Sequence, residues 1–332
     1  MQLPADVPLH PRSPDHLRHF HGLPVFDFPE AGDDRPLPDD PGSVAWRLRC
    51  GQRAENEDAY DYWNRFFATA PLDGIRALLI GSPWYGFDGG GLDDRMPMMA
   101  DRLTSLEALF LGDVDMEESE VSWIEQSDLT PVLDAFPGLR ELGVRGGTDL
   151  EFPVVRHEGL RTLRFESGGL PREVVRNVAA SDLPALEYLE MWLGVEDYGG
   201  DATVADLRPL LDGDRLPALR HLGLQNSLFQ DDIAAAVAQA PVVARLDTLR
   251  LSMGSLSDEG AEALLRGQPL THLRYVDLHH HYLSDAMMLR VWEALEPAGV
   301  RVDLSGQIGD DDEDDWDEDD DGSPIRYTAV AE

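Results

Sequence analysis

Residues 219–224 (LRHLGL), 246–251 (LDTLRL) and 273–278 (LRYVDL) repeat one pattern at an unbroken spacing of 27 residues. The apolar and acidic residues that follow each copy keep the same period: Phe229, Leu256 and Leu283, then Asp231, Asp258 and Asp285. A period shared by the strand-like half and the half that follows it indicates stacked structural units. The expected architecture is an α/β solenoid, a horseshoe with parallel strands on its concave face and helices on its convex face.

Weaker copies of the pattern extend the array in both directions. Candidate strand motifs begin at residues 45, 75, 106, 139, 160, 186, 219, 246, 273 and 299, which gives ten expected strands. Spacings are irregular before residue 186, and the interval of 21 residues between 139 and 160 predicts a unit without a full helix. In the first motif, Cys50 takes the last core position.

Helical periodicity occupies several of the intervals between strands. The expected helices cover residues 172–180, 205–211, 231–240, 258–266 and 285–295. Ser257 and Ser284 stand where an N-cap is expected, directly before acidic first turns. One strand and one helix in about 27 residues fits the usual length of a leucine-rich repeat, about 20–29 residues.

The charge is strongly negative, with 64 acidic and 27 basic residues. Every basic residue is an arginine, which excludes a Schiff-base lysine and the lysine of a nucleotide-binding P-loop. A net charge of −37 repels nucleic acid and anionic lipid, so we expect neither as a partner, and a basic protein suits the charge better.

With one cysteine and no membrane-spanning stretch, a cytoplasmic location is expected.

Four segments are predicted along the chain. Residues 1–43 form a proline-rich lead-in that caps the open end of the array, and residues 44–309 form the repeat domain. Residues 310–323 are an acidic low-complexity loop or tail, with 11 acidic residues among the first 12. Residues 324–332 end the chain as a short strand-like segment that could return to the fold.

The repeats carry a family resemblance. The stretches LRHLGLQ, LDTLRLS and LRYVDLH, each followed by a helical half, resemble leucine-rich repeats of the ribonuclease-inhibitor-like subtype over roughly residues 70–305. The phrase HFHGLPVFDFP at residues 19–29, with VAWRLR after it, is similar to an uncharacterised bacterial leucine-rich repeat family. Members of that family are encoded near radical-SAM and ATP-grasp-like proteins. The resemblance implies a companion protein in a modification pathway and supplies no catalytic residues.

Strand alternation identifies the residues that should face the concave surface. Side chains between the core leucines point away from the core, and aromatic and arginine side chains there are typical of protein interfaces. The candidate partner-binding residues are Arg145, Arg164, Tyr188, Glu190, Trp192, His221, Gln225, Arg250, Tyr275, Asp277 and His279. A second candidate is an aromatic, glycine-rich loop after a strand, with Trp84, Tyr85 and Phe87.

Two histidine groups raise a metal hypothesis. Adjacent side chains of an extended chain diverge, so at most two of His279, His280 and His281 could converge on an ion, and a polar strand end is the simpler interpretation. His16, His19 and His21 are interpreted as a solvated face of the lead-in. We therefore predict no metal and no cofactor.

The sequence favours a protein-interaction module or scaffold that binds a protein partner on the concave face. A basic protein or a pathway enzyme is the expected kind of partner. Catalysis is not expected, because Cys50 takes a core position and the chain lacks the motifs G-x-S-x-G and H-E-x-x-H. Two alternatives remain open. One is a metal-dependent or enzymatic function around residues 279–281, and the other is mimicry of nucleic acid by the acidic surface.

Overall fold

The computed structural model describes residues 14–50, 57–82, 95–309 and 326–331. In these residues twelve strands form one open sheet, in which each strand pairs with the next along the chain. The first pair is antiparallel and all later pairs are parallel. The strands are β1 (His19–Phe20), β2 (Leu23–Asp27), β3 (Ala45–Leu48), β4 (Ala77–Ile80), β5 (Ala108–Leu111), β6 (Glu141–Arg145), β7 (Thr162–Glu166), β8 (Tyr188–Gly194), β9 (His221–Ser227), β10 (Thr248–Arg250), β11 (Tyr275–Asp277) and β12 (Arg301–Asp303).

All ten expected strands are present, from β3 to β12, and most begin two residues after the start of their motif. The described part of the lead-in lies at the open end of the sheet, where a cap was expected. Its hairpin, β1–β2, adds a strand to the sheet, because β2 pairs in parallel with β3. The described part of the last segment, residues 326–331, contains no strand, although it does return to the fold through a hydrogen bond from Ala329 N to Met253 O of 2.8 Å.

Helices fill most of the connections in the described chain. They are α1 (Ala59–Thr69), α2 (Arg95–Met98), α3 (Thr130–Ala135), α4 (Arg172–Ala180), α5 (Val204–Asp212), α6 (Gln230–Val237), α7 (Asp258–Arg266) and α8 (Asp285–Leu295). Three of the five predicted helices match their expected bounds. The two predicted N-caps are confirmed, since the Ser257 and Ser284 side chains accept hydrogen bonds from backbone amides of the first turn. The described connection from β6 to β7 has no helix, as its length predicted.

The aspartates that recur every 27 residues join neighbouring units. Asp231 accepts hydrogen bonds from the Ser257 amide and hydroxyl, at 2.8 and 2.5 Å. One unit later, Asp258 accepts the same two hydrogen bonds from Ser284, at 2.8 and 2.7 Å. Each carboxylate therefore positions the N-cap residue of the next helix, which explains why the acidic residue shares the period of the leucines.

The main core lies between the sheet and the helices. It contains the regularly spaced leucines of the motifs, such as Leu222, Leu249 and Leu278. Cys50 also lies in this core, as expected. Helix α1 was not predicted, but it contributes the buried residues Tyr62, Trp63, Phe66 and Phe67 to this core. None of the helices in the described part of the chain is long and apolar enough to cross a membrane.

Candidate functional site

The second side of the sheet, away from the helices, changes character along the array. On β3, β4 and β5 it carries Ala45, Ala77, Leu79, Ala108 and Phe110, which form an apolar cluster that we call the apolar face. On β7 to β11 the strand register aligns charged and aromatic side chains, which we call the polar face. Its members are Arg164, Glu166, Tyr188, Glu190, Trp192, His221, Gln225, Arg250, Tyr275, Asp277 and His279.

Glu190 is the centre of the polar face. Its carboxylate accepts hydrogen bonds from the Tyr188 hydroxyl and from Trp192 Nε1, the latter at 3.3 Å. Arg250 Nη1 reaches the same carboxylate at 3.3 Å from two strands away. The intervening strand carries Gly223, where an added Cβ would lie 2.9 Å from Glu190 Cγ. Glycine at this position therefore permits the ion pair across β9.

Beyond Arg250, the network continues to β11. Arg250 Nε lies 3.6 Å from Asp277 Oδ2, and the other oxygen of Asp277 lies 2.7 Å from His279 Nδ1. Tyr275 donates a hydrogen bond of 3.4 Å to Asp303 on the last strand. Although burial disfavours the charged form of Arg250, Tyr188, Glu190 and Asp277 raise its pKa above its usual value. The guanidinium is held charged between acidic groups.

His221 is a neutral part of this face. Its ring stacks on Tyr188, with centroids 3.7 Å apart and planes 3° from parallel, and Nδ1 pairs with the Thr248 hydroxyl. Burial lowers the pKa of His221 to about 4, with Arg250 adding to the effect and Glu190 opposing it. Burial also raises the pKa of Tyr188 well above its usual range. Both rings therefore stay uncharged at neutral pH.

Arg145 and Arg164 lie where the apolar face meets the polar face. Arg145 Nε is 2.7 Å and Arg164 Nε is 3.0 Å from Glu166, and both guanidiniums lie over the Phe110 ring. Gly143 lies on β6, next to the Phe110 ring of β5. An added Cβ at Gly143 would lie 2.3 Å from Phe110 Cδ2, so the ring fits only because this residue has no side chain. Arg145 also donates to the carbonyl oxygen of Asp15 at 3.0 Å.

The predicted concave positions are therefore on the expected side of the sheet, but they are not open side chains. None of the eleven partner-binding candidates is more than 6% exposed. Trp192 and Tyr275, for example, are buried, so neither side chain is exposed to a partner in this structure. Strand alternation fixes the direction of a side chain and does not determine what covers it. Their role in binding a partner stays a prediction.

Residues 14–20 cover the apolar face. The side chains of Leu17 and Phe20 pack into it, and Phe20 meets Phe110 edge to face at 5.9 Å. The Leu17 amide donates to Asp113 at 3.0 Å, and Arg47 donates to the Leu17 carbonyl at 3.2 Å. The segment is thus held by apolar burial and by charged side chains of the sheet.

His16 anchors the same segment and belongs to a cluster with metal-ligand spacing. Its Nε2 lies 3.2 Å from Asp115 and 3.1 Å from Glu118. Burial lowers the pKa of His16, but Asp113 and Glu118 outweigh it and raise the pKa to about 9. Arg49 Nη1 also points at Nε2, and a cation there disfavours a metal ion. The surrounding carboxylates favour a protonated His16, whereas the Arg49 guanidinium opposes that charge. In either protonation state the ring is held by side chains, so the interpretation of His16 as a solvated residue is wrong.

Residues 326–331, which we call the tail segment, lie across the C-terminal ends of several strands. Asn226 binds both main-chain groups of Val330: its Nδ2 donates to the carbonyl and its Oδ1 accepts from the amide at 3.0 Å. The side chain of Val330 is 6% exposed and packs with Val121, Trp192 and Met253. This contact accounts for part of the burial of Trp192.

The histidine triplet does not converge on one point. His279 pairs with Asp277, and His280 Nε2 lies 3.2 Å from the carbonyl oxygen of Tyr327. His281 accepts from the Leu283 amide at Nδ1 and places Nε2 3.1 Å from the Leu304 carbonyl. The three rings serve three separate hydrogen-bonding roles at the strand ends. The loop candidates Trp84, Tyr85 and Phe87 lie outside the described residues.

The fold and the covered sheet can be compared with known proteins. No protein-family model and no curated protein matches the chain. A crystal structure of a protein from Bacteroides fragilis, determined by a structural genomics consortium, is similar over 74% of this chain and 70% of that one, with 34% identity and a TM-score of 0.69. The two chains belong to one family.

Three features of the site were missed by sequence reasoning. The glycines at 143 and 223 interrupt the pattern of large concave residues, and this signal could have indicated that neighbouring side chains cross those strands. Asn226 was not among the candidate residues, although its side-chain carboxamide binds the tail segment. The lead-in was expected to cap the end of the array, but its covering of the apolar face by residues 14–20 was not predicted, because it depends on contacts across more than 90 residues, as from Leu17 to Asp113.

Proposed function

We propose that this protein is a leucine-rich repeat horseshoe that binds protein partners through the non-helical side of its sheet. The unbroken 27-residue period and the aspartate ladder between units support the solenoid architecture. Such arrays keep each unit fixed against its neighbours and so present a rigid surface. On this proposal the polar face is the concave side, and its hydrogen bonds hold the side chains in a preorganised arrangement.

One observation carries the proposal: this side of the sheet already binds polypeptide. Arg47 and Arg145 donate to carbonyl groups of residues 14–20, and Asp113 accepts an amide from the same segment. Asn226 and Ser122 bind main-chain groups of the tail segment. Polar side chains of the sheet therefore satisfy the backbone of chains that cross it, and this is what binding a partner's loop or terminus requires.

The charge of the protein restricts the partner. A net charge of −37 favours a basic protein surface, through faster association and through rejection of acidic competitors. The family resemblance of the N-terminal phrase adds a pathway enzyme as the kind of partner. Because the interaction is partly electrostatic on this account, binding should weaken as salt increases.

The experiment is an affinity purification with the full chain as bait, followed by reconstitution of each captured complex from purified proteins. The face variant is Arg250→Gln, and the matched control is Arg266→Gln, since Arg266 is an exposed residue of α7. A bait without residues 310–321 tests the acidic run separately. The proposal expects a partner that Arg250→Gln weakens at least tenfold and Arg266→Gln leaves unchanged, with both variants folded by circular dichroism. A partner that depends only on the acidic run, or no reconstituted complex at all, would contradict it.

A further inference from the structure

The tail segment crosses the ends of successive strands and bends at Ala329. The Tyr327 amide donates to the Tyr282 hydroxyl at 2.7 Å, beside β11, and Ala329 N donates to Met253 O at 2.8 Å, beside β10. Val330 is bound by Asn226 beside β9, and the Ala331 carbonyl accepts from Ser122. The segment therefore runs against the order of the repeats and contacts one unit after another.

Recognition of the tail segment is mainly through its backbone. The main-chain amides of Tyr327, Ala329 and Val330 donate to Tyr282, Met253 and Asn226. The Ala331 carbonyl accepts from Ser122, so all four hydrogen bonds involve the backbone of the tail segment. Val330 is the buried side chain of the six, whereas Tyr327 is 45% exposed. A site that reads backbone and one side chain accepts many peptides that share one anchor residue.

The receptor side is shaped for a close backbone. We define the strand-end groove by Ser122, Gly168, Trp192, Asn226, Met253 and Tyr282. Asn226 and Met253, one period apart, both take left-handed backbone conformations, with φ of 57° and 67°. An added Cβ at Gly168 would lie 2.1 Å from the Ala331 carbonyl oxygen. The turns and the glycine leave space for a peptide backbone where side chains would otherwise stand.

Arg326 adds a charged contact at the N-terminal end of the tail segment. The Arg326 guanidinium lies 5.4 Å from the centre of the Tyr282 ring and 3.8 Å from Asp231. Arg326 precedes Val330 by four residues. The groove therefore accepts a basic residue at one end and a small branched apolar residue four positions later.

We propose that the strand-end groove is a docking site for a peptide segment of a partner protein, with the pattern basic-x-x-x-branched apolar. The chain's own tail segment is the internal competitor that occupies the groove until the partner displaces it. Sixteen residues join Gly309 to Arg326 in the sequence, so the tail segment is a covalently attached competitor. This inference rests on the proposed function and specifies its partner and its regulation.

A tethered ligand competes at a high effective concentration, on the order of millimolar for a short flexible connection. The free peptide should therefore bind poorly to the wild-type chain and well to a chain whose own tail segment is weakened. Val330→Asp achieves this, because it would place a charge against Val121, Trp192 and Met253 and leaves the groove residues intact.

The probe is a fluorescein-labelled peptide of residues 324–332, measured by fluorescence anisotropy against the full-length Val330→Asp variant. We expect at least tenfold tighter binding to this variant than to wild type, and at least tenfold weaker binding when Asn226→Ala is added. The same peptide with aspartate at the Val330 position is the control on the ligand side and should not bind. A folded Val330→Asp variant that binds neither peptide, or both equally, would overturn the proposal.

A protein with the wild-type groove and tail segment provides a second measurement if the Val330→Asp variant does not fold. A protease site inserted within residues 310–321 allows the tail segment to be cut free, and its retention is then followed by gel filtration on dilution. Release at low concentration supports an exchangeable tail segment, whereas retention at every concentration overturns it.

The peptide assays need no lysate partner, so their failure is distinct from that of the proposed function. A reconstituted partner that binds wild type and Val330→Asp equally would keep the function and reject the groove.

Discussion

The apolar face and the polar face lie on the same side of one sheet, yet the chain covers them in different ways. Over the apolar face, residues 14–20 bury Leu17 and Phe20 and are anchored by buried Arg47 and Asp113. At the ends of the polar strands, the tail segment buries Val330 and relies on backbone hydrogen bonds. The first cover resembles a protein core, and the second resembles a bound peptide.

On our proposal, one sheet combines a permanent contact with an exchangeable one. Apolar burial with paired charges is costly to open, because it exposes large side chains and leaves charges unpaired. Backbone hydrogen bonds can be replaced by water or by another peptide at a small net cost. We therefore expect the N-terminal half to set the stability of the fold and the C-terminal half to provide binding.

The largest expected effect is at the centre of the apolar face. Phe110→Ala removes the ring that contacts Phe20 and supports the guanidiniums of Arg145 and Arg164. We expect a loss of about 3–5 kcal/mol in the free energy of unfolding, measured by urea denaturation. Val330→Ala on the tail segment should cost only about 1–2 kcal/mol. Similar losses for the two variants would break the comparison.

The two halves should also respond to pH in opposite directions. The pKa of His16 is raised to about 9 from 6.5, so its contribution is full below pH 6.5 and is lost as the pH rises through 9. The pKa of His221 is lowered to about 4, so its contribution is full above pH 6.5 and is lost as the pH falls towards 4. We expect up to about 3 kcal/mol from buried His221 and about 1–2 kcal/mol from half-buried His16.

Urea denaturation between pH 4 and 10 checks both contributions. His16→Gln should flatten the loss of stability on the alkaline side, and His221→Gln should flatten the loss on the acid side. Each variant serves as the control for the other, because the unaffected limb should keep the wild-type slope. If His16→Gln changed the acid limb instead, the assignment of these two histidines to opposite responses would be incorrect.

A smaller effect should come from the two glycines that let side chains cross a strand. Alanine at Gly143 would place Cβ 2.3 Å from Phe110, and alanine at Gly223 would place it 2.9 Å from Glu190. We expect losses of about 1–3 kcal/mol, with the larger loss at Gly143 because a ring in a packed core yields less than a carboxylate stem. The control is Gly138→Ala, where nothing lies within 4 Å of the added Cβ. Thermal unfolding measures all three.

The core side of this fold could be predicted from the sequence because it depends on a local period. The apolar residues at fixed positions within each motif located ten strands. Ser257 and Ser284 located the starts of two helices. Helix α1 was missed although Tyr62, Trp63, Phe66 and Phe67 show the i, i+4 spacing of an amphipathic helix. These residues are aromatic and lie in an irregular interval, so the leucine motif does not describe them.

The candidate site could be predicted only in part. Alternation placed Glu190, Arg250 and Asp277 on one side of the sheet, and their register then brought them together. Their burial could not be predicted, since it depends on distant segments that cross the sheet. The binding of Val330 by Asn226 spans 104 residues, and no local pattern contains that information.

The most direct test of this account is hydrogen exchange of the native full-length chain, followed by mass spectrometry or by resolved amide signals. The amides of Leu17 and Val330 are both bonded to buried side chains, to Asp113 and to Asn226. The account predicts that Val330 exchanges at least about 100-fold faster than Leu17, through local release of the tail segment. Equal protection of the two amides would show that the tail segment is as permanent as the N-terminal cover, and would contradict the claim that the polar half holds an exchangeable peptide.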